Sequence, residues 1–95
     1  MDDILRVTCT PMPGPSVIRL AGEVDSSNSA ELANTLAQAW RIDDELIMDL
    51  GRVTFADVAG IRTLLAFTAG GPVHVRDIPP QIRRLMGLMG LSSLG

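Results

Sequence analysis

The sequence predicts an α/β fold in which one mixed sheet carries three or more helices, in the order β-β-α-β-α-β-α. Short apolar runs alternate with longer segments that have helical spacing. The proline-rich stretch Pro11–Pro15 separates the first two runs. Because proline cannot continue a ladder, these runs predict an antiparallel hairpin, whereas the later strand, helix, strand crossovers predict parallel pairs. We expect a sheet of four strands, and the pattern leaves open whether a fifth strand is present.

The first half of the chain is predicted to contain two strands and a helix. Residues Ile4–Thr10 alternate loosely and Ser16–Ala21 follows the prolines, so both segments are predicted strands. Asn28 stands three residues before Glu31, the spacing of a capping box, which predicts that a helix begins at Ser29. Its apolar stripe has helical spacing and comprises Leu32, Leu36, Ala39 and Trp40.

The second half is predicted to contain two strands, each followed by a helix. Leu46–Leu50 is nearly continuously apolar, which is typical of a central strand covered on both faces. Asp57 is the expected N-cap of a helix that ends at Gly70. Pro72–Arg76 alternates like a strand, and Ile78–Pro80 opens a third helix. The apolar side of that helix comprises Ile82, Leu85, Met86 and Met89.

Composition restricts the classes of protein to which the chain can belong. Its 95 residues are the size of one small domain, spanning residues 1–95. The net charge is −3, and all eight basic residues are arginines, which argues against a nucleic-acid-binding surface. No apolar run reaches the roughly 18 residues of a membrane-spanning helix. We therefore expect a cytoplasmic protein that does not insert into membranes.

Catalytic and metal-binding patterns are missing from the sequence. Cys9 is the only cysteine and His74 the only histidine, so neither a disulfide within the chain nor a zinc site is expected. No G-x-S-x-G or P-loop pattern occurs, and no nucleophile stands beside a recognisable base, so we expect no enzyme and no cofactor. Four carboxylates could gather at the carboxyl ends of the strands, where open α/β sheets bind ligands: Glu23, Asp25, Asp49 and Asp57.

The helix start after Asp57 is the strongest candidate site. The backbone N–H groups of Val58, Ala59 and Gly60 would be free at the first turn, where the helix dipole favours negative charge. An ordinary capped helix explains the same residues, and from this pattern alone it is the favoured interpretation.

Three segments resemble the motifs of STAS domains. Leu20–Asp25 resembles their L-x-G-E-hydrophobic-D segment, and Leu50–Ile61 resembles their D-L-x-x-hydrophobic-x-F-x-D-S-S/A-G-hydrophobic segment. Arg84–Leu91 resembles their closing helix and its G-L ending. Because all three occur in the family's order and cover most of the chain, it is identified as a STAS domain of the anti-sigma factor antagonist type.

The resemblance implies a regulatory binding protein. Antagonists of this type bind a serine-kinase anti-sigma factor with an ATPase-like fold and displace the sigma factor. They are switched off when the kinase phosphorylates a serine at the start of the second helix. Ala59 occupies that position here. Alanine has no hydroxyl to receive a phosphate, so we expect binding without this inactivation, with Thr54 and Thr63 as the nearest alternative hydroxyls.

The resemblance also implies where the partner binds. The expected partner-binding residues are Asp25, Thr54, Asp57, Val58, Ala59, Gly60 and Arg62. Two other functions stay open: a STAS subunit that regulates a transport ATPase of the lipid-transport type, and a module that senses a nucleotide or another small ligand. Association of two chains into a homodimer is also left open.

Overall fold

The computed structural model describes residues 4–10 and 13–91 and contains the predicted elements in the predicted order. The strands are β1 (Arg6–Thr10), β2 (Ser16–Val24), β3 (Leu46–Ala56) and β4 (Val73–Arg76). The helices are α1 (Ser29–Ala39), α2 (Val58–Thr68) and α3 (Pro80–Leu88). The predicted fold class is therefore confirmed. Residues 1–3 and 92–95 of the predicted single domain, and residues 11–12 of the predicted turn, lie outside the described residues.

The strands form one mixed sheet in the spatial order β1-β2-β3-β4. β1 pairs antiparallel with β2, whereas β2 with β3 and β3 with β4 pair in parallel, which confirms the predicted hairpin and crossovers. Residues 4–10 and 13–91 contain no fifth strand. Because β2 and β3 are adjacent and parallel, their carboxyl ends meet at one edge of the sheet, where α1 and α2 begin.

All three helices pack against the same face of the sheet. Alternate residues of β3 are fully buried in one core cluster with side chains from every helix: Leu46, Met48 and Leu50 of β3, Leu32 and Leu36 of α1, Ile61 and Leu64 of α2, and Ile82 and Met86 of α3. On the other face, Ile47 and Asp49 are only partly buried. The prediction that β3 is covered on both faces is therefore wrong. The face opposite the described helices is called the open face. Ile47 belongs to the apolar run in the sequence but lies on this face, and the charged side chain of Asp49 indicates that the face is solvated.

Both internal strands extend beyond their predicted ends. β2 ends at Val24 and β3 at Ala56. Gly22 and Gly51 interrupt the sequence patterns, because glycine is a poor strand former. Gly22 adopts a φ of 100°, and the register between β2 and β3 shifts on both sides of it. This irregularity lets the pairing continue to the edge that carries the helix starts.

A carboxylate anchors the beginning of β2. The Asp43 Oδ2 atom accepts hydrogen bonds from the backbone N–H and the hydroxyl of Ser16, each at 3.1 Å. Ser16 is only 2% exposed, so Asp43 supplies the partner that its buried polar groups need. The hydroxyl of Ser16 lowers the pKa of Asp43 below its usual range, although desolvation acts in the opposite direction.

The stability of the domain is expected to fall in acid, because the pKa of Asp43 is lowered in the folded state. The folded-state pKa of Asp43 lies below its ordinary value of 3.8, so its contribution is complete above that value and is lost as pH falls through the lower pKa. Urea denaturation between about pH 6 and about pH 2.5 should show the free energy of unfolding declining below about pH 4. Asp43→Asn should make that decline shallower, and an unchanged decline in the variant would contradict this role.

Candidate functional site at the start of the second helix

Asp57 joins the two helix starts at the edge of the sheet. Its Oδ1 atom accepts a hydrogen bond from the backbone N–H of Gly60 at 2.8 Å, which confirms the predicted N-cap. Its Oδ2 atom accepts one from the backbone N–H of Ser26, in the loop before α1, at 3.2 Å. The backbone N–H of Asp57 in turn donates to the carbonyl of Val24 at 3.2 Å. One residue thus holds the β2–α1 loop, the end of β2 and the first turn of α2 together.

Gly60 allows α2 to begin in direct contact with β2. It is buried, and a Cβ atom at this position would lie 2.3 Å from the carbonyl oxygen of Val24. Only glycine permits so close an approach of the two backbones. The N–H of Gly60 is already bonded to Asp57, so it is not one of the free donors that the sequence suggested.

The loop between β2 and α1 is organised around Asp25. Its Oδ1 atom accepts hydrogen bonds from the hydroxyl and from the backbone N–H of Ser27. These bonds, the hydroxyl first, lower the pKa of Asp25 below its usual range. Its backbone carbonyl accepts hydrogen bonds from the hydroxyl of Ser29 and the N–H of Asn28. Asp25 therefore presents an ionised carboxylate at neutral pH in the loop that Asp57 holds.

The capping box predicted for α1 does not form, although the helix begins at Ser29 as predicted. Asn28 makes no side-chain cap bond. Its Oδ1 atom accepts from the N–H of Asp25 at 3.1 Å, and its Nδ2 atom donates to the carbonyl of Glu23 at 2.9 Å. The side chain turns back toward β2 because backbone groups near the end of the ladder need hydrogen-bond partners.

Two apolar side chains flank Asp57 at the surface. Phe55 is 47% exposed and Val58 is 42% exposed. Val53 and Ala56 are buried, whereas Phe55 between them is exposed to solvent. The sequence motif includes Phe55 without singling it out as a binding residue. The available signal was its position two residues before the expected N-cap Asp57, next to the candidate site.

The other predicted residues lie around this pair. Thr54 and Arg62 are exposed, and Ala59 is partly buried in the first turn of α2. Thr63 is partly buried, and its hydroxyl donates to the carbonyl of Ala59 at 3.1 Å. The hydroxyl of Thr63 is thus engaged by its own helix. After the binding role that the resemblance predicts for most of its members, we call the following set the partner-facing edge: Asp25, Thr54, Phe55, Asp57, Val58, Ala59 and Arg62.

Only part of the expected carboxylate cluster assembles. Asp25 and Asp57 approach the same loop, but Asp49 lies on the open face of the sheet, where its Oδ2 atom is 3.4 Å from Nε of Arg76. Glu23 lines a neighbouring cavity of about 560 Å³ together with Asp25 and Glu31. Three carboxylates in that lining disfavour an anionic ligand such as a nucleotide phosphate.

The described part of the chain offers no metal-binding or membrane-spanning arrangement. Within residues 4–10 and 13–91, no three His, Cys, Asp or Glu side chains are grouped to hold a metal ion. No helix in these residues is both long enough and apolar enough to cross a membrane. His74 lies exposed on β4, as the alternation of that strand indicates.

Removing the cap should destabilise the domain measurably. Asp57→Ala removes the bonds to Gly60 and Ser26 and is expected to lower the free energy of unfolding by about 1–2 kcal/mol. Asp44→Ala, at an exposed carboxylate, should change the free energy of unfolding by less than about 0.5 kcal/mol. Chemical denaturation of both variants tests this, and equal losses would contradict a capping role for Asp57.

The mixed sheet, its three helices and the Asp57 edge define a small α/β domain. A family profile described as "Mlab, STAS domain" matches residues 11–95. The chain belongs to the STAS domain family.

Similar proteins include several named as anti-sigma factor antagonists. One from Bordetella bronchiseptica, BtrV, is 25% identical over 96 residues, covering 95% of this chain and 83% of its own. The structure of an antagonist from Mycobacterium paratuberculosis is 24% identical with a TM-score of 0.81, covering 93% of this chain and 80% of that one. Unphosphorylated SpoIIAA is 19% identical with a TM-score of 0.69, covering 96% and 84%. At these identities the solved structures establish a shared fold.

Proposed function

We propose that this protein is a non-enzymatic, cytoplasmic anti-sigma factor antagonist that acts as a single domain. Its partner would be an anti-sigma factor of the serine-kinase type, which it sequesters so that a sigma factor is released. The observation that carries the proposal is the partner-facing edge, where Phe55 and Val58 are exposed beside Asp57. The name of the Bordetella relative supports an anti-sigma factor as the partner.

The chemistry of this edge suits a protein partner better than a small ligand. Phe55 and Val58 provide apolar area that is desolvated on binding, and Asp57, Asp25 and Arg62 provide a charged rim. The Asp57 carboxylate is held by two backbone N–H groups, so its geometry is set before a partner arrives. Such preorganisation reduces the entropy that binding must overcome.

Inactivation by phosphorylation at the usual position would be absent from this mechanism. Ala59 supplies no acceptor, and the nearby hydroxyl of Thr63 is bonded within α2. The antagonist would then stay competent for binding whenever it is present. Its activity would be controlled by its amount or by contacts elsewhere on the domain.

Purified anti-sigma kinases from the source genome provide the direct test, with the affinity of each measured by calorimetry. One kinase should bind the natural chain, and Phe55→Ala should weaken that complex by about tenfold or more. Leu88→Ala, at a residue that is 82% exposed on α3, is the matched control and should leave the affinity unchanged. Mass spectrometry after incubation with ATP should show no added phosphate.

Three outcomes would count against the proposal. Failure of every kinase to bind would remove the proposed partner. Equal losses from Phe55→Ala and Leu88→Ala would remove the partner-facing edge, and stoichiometric phosphate on the natural chain would remove the unphosphorylated mechanism. Capture of a transport ATPase in place of a kinase would support the transport alternative.

A further inference from the structure

The face of the sheet opposite the three described helices carries a cavity that the proposed function does not use. Its volume is about 380 Å³, and we call it the open-face cavity; its lining comprises Thr10, Pro13, Pro15, Val17, Arg19, Ile47 and Arg76. The prolines belong to the connection between β1 and β2, and the other lining residues come from all four strands. Among the described lining residues, the two that carry a charge are both arginines.

The two arginines compete for one carboxylate. Arg19, Asp49 and Arg76 are register partners across β2, β3 and β4, so they form one row on the open face. The Nε atoms of Arg19 and Arg76 lie 3.8 and 3.4 Å from the same Oδ2 atom of Asp49. Asp77 approaches Arg76 only at 4.0 Å and is 65% exposed. Both arginines approach Asp49 through Nε, and a guanidinium carries further N–H donors on its Nη atoms that can bind an added carboxylate.

An apolar row lies next to the arginine row. Val17 and Ile47 are register partners, each two residues before Arg19 and Asp49 on its own strand. Val17 is 7% exposed, although it lies on the open face. Rows two residues apart on a strand are separated by about 6.6 Å. An extended peptide has the same spacing between side chains on one face.

From this match we propose that the open-face cavity binds an extended acidic segment of another protein. A glutamate or aspartate of that segment would bind the guanidinium groups of Arg19 and Arg76. An apolar side chain two positions away would pack on Val17 and Ile47. A free phosphate would leave the apolar row uncovered, and no aromatic side chain lines the cavity to stack a nucleic-acid base.

A designed peptide tests this assignment. The probe is a fluorescein-labelled acetyl-Ser-Glu-Ser-Leu-Ser-Glu-Ser-amide, whose Glu and Leu side chains share one face when it is extended. Fluorescence anisotropy at low salt should detect binding, and the combined change Arg19→Gln and Arg76→Gln should weaken it by about tenfold. Arg83→Gln together with Arg84→Gln removes the same charge from exposed positions of α3 and should weaken peptide binding far less.

Asp49→Asn provides a test with the opposite sign. Asparagine keeps an Oδ1 atom to accept the Gly51 N–H, which Asp49 now accepts at 2.9 Å, but it removes the competing charge. Peptide binding should therefore tighten several-fold, whereas a merely structural role for this ion pair predicts no gain. Circular dichroism and thermal midpoints of all variants confirm that they are folded.

Several results would overturn the inference. They are absence of peptide binding at millimolar concentration, equal binding of the peptide with glutamine in place of both glutamates, and full competition by inorganic phosphate alone. Concentration-dependent dimerisation that is lost in the double arginine variant would assign the face to a second copy instead. Kinase binding at the partner-facing edge should be unchanged in that variant, so this inference and the proposed function can fail separately.

Discussion

Replacing Gly60 with alanine is expected to lower the free energy of unfolding by about 3 kcal/mol, among the largest effects of any single methyl group in this domain. The added Cβ would lie 2.3 Å from the carbonyl oxygen of Val24 and 2.9 Å from its Cγ1 atom. Because the nearest neighbour is backbone within a strand, it cannot move aside as the end of a flexible side chain can. The first turn of α2 would have to separate from β2, and the bond from Asp57 to the N–H of Gly60 would weaken.

Gly87 supplies the matched control for this substitution. It also lies in a helix, α3, but a Cβ atom there would have no neighbour within 4 Å. Gly87→Ala should raise the free energy of unfolding by about 0.5–1 kcal/mol, because alanine is the better helix former. Opposite signs for the two variants in urea denaturation would support the close approach at Gly60. Similar changes in both would contradict it and would indicate a general effect of helical glycine.

Sequence periodicity was sufficient to predict the elements of this fold. The helical stripes of α1 and α2 and the proline-separated hairpin each have one dominant pattern, and the structure follows them. The ends of β2 and β3 could not be predicted in the same way. Gly22 needs a positive φ to keep the two strands paired, and that requirement depends on a neighbouring strand. The strand propensity of a segment depends on its own residues and does not include the neighbouring strand.

The part of the candidate site that depends on contacts between residues close in sequence could be predicted. Asp57 caps α2 through a bond to a residue three positions away, so its spacing alone indicates the role. Its second bond, to Ser26, spans 31 positions and depends on the way β2 and β3 meet. The exposure of Phe55 and the position of Asp49 on the open face could not be predicted, because both depend on where the helices pack against β3.

The two proposed surfaces are separate because they lie on different parts of the sheet. The partner-facing edge lies where β2 and β3 end, and its rigidity comes from Asp57. The open-face cavity lies on the uncovered side of the sheet, and its charge comes from two arginines that share Asp49. Under the proposed function, a domain without a phosphate acceptor at Ala59 could be regulated through such a second surface without any change to the first.

Restoring the hydroxyl should create the missing switch. Ala59→Ser places an acceptor in the first turn of α2, two residues after the cap. With a binding kinase and ATP, the variant is expected to gain one phosphate, which brings about −1.5 to −2 charges to the partner-facing edge. Repulsion and desolvation at the interface should then weaken the kinase complex by about 100-fold. Without ATP, its affinity should equal that of the natural chain.

The stability of the phosphorylated variant separates a lost interface from a damaged fold. Negative charge at a helix start is favoured by the dipole, so the thermal midpoint should be unchanged or higher. Ala66→Ser, at an exposed position further along α2, is the control and should gain no phosphate. A phosphorylated variant that still binds the kinase would contradict the switch, and one that unfolds would show that the lost binding has another cause. If Ala59→Ser gains a phosphate and loses its partner while remaining folded, the natural alanine alone accounts for a permanently active antagonist.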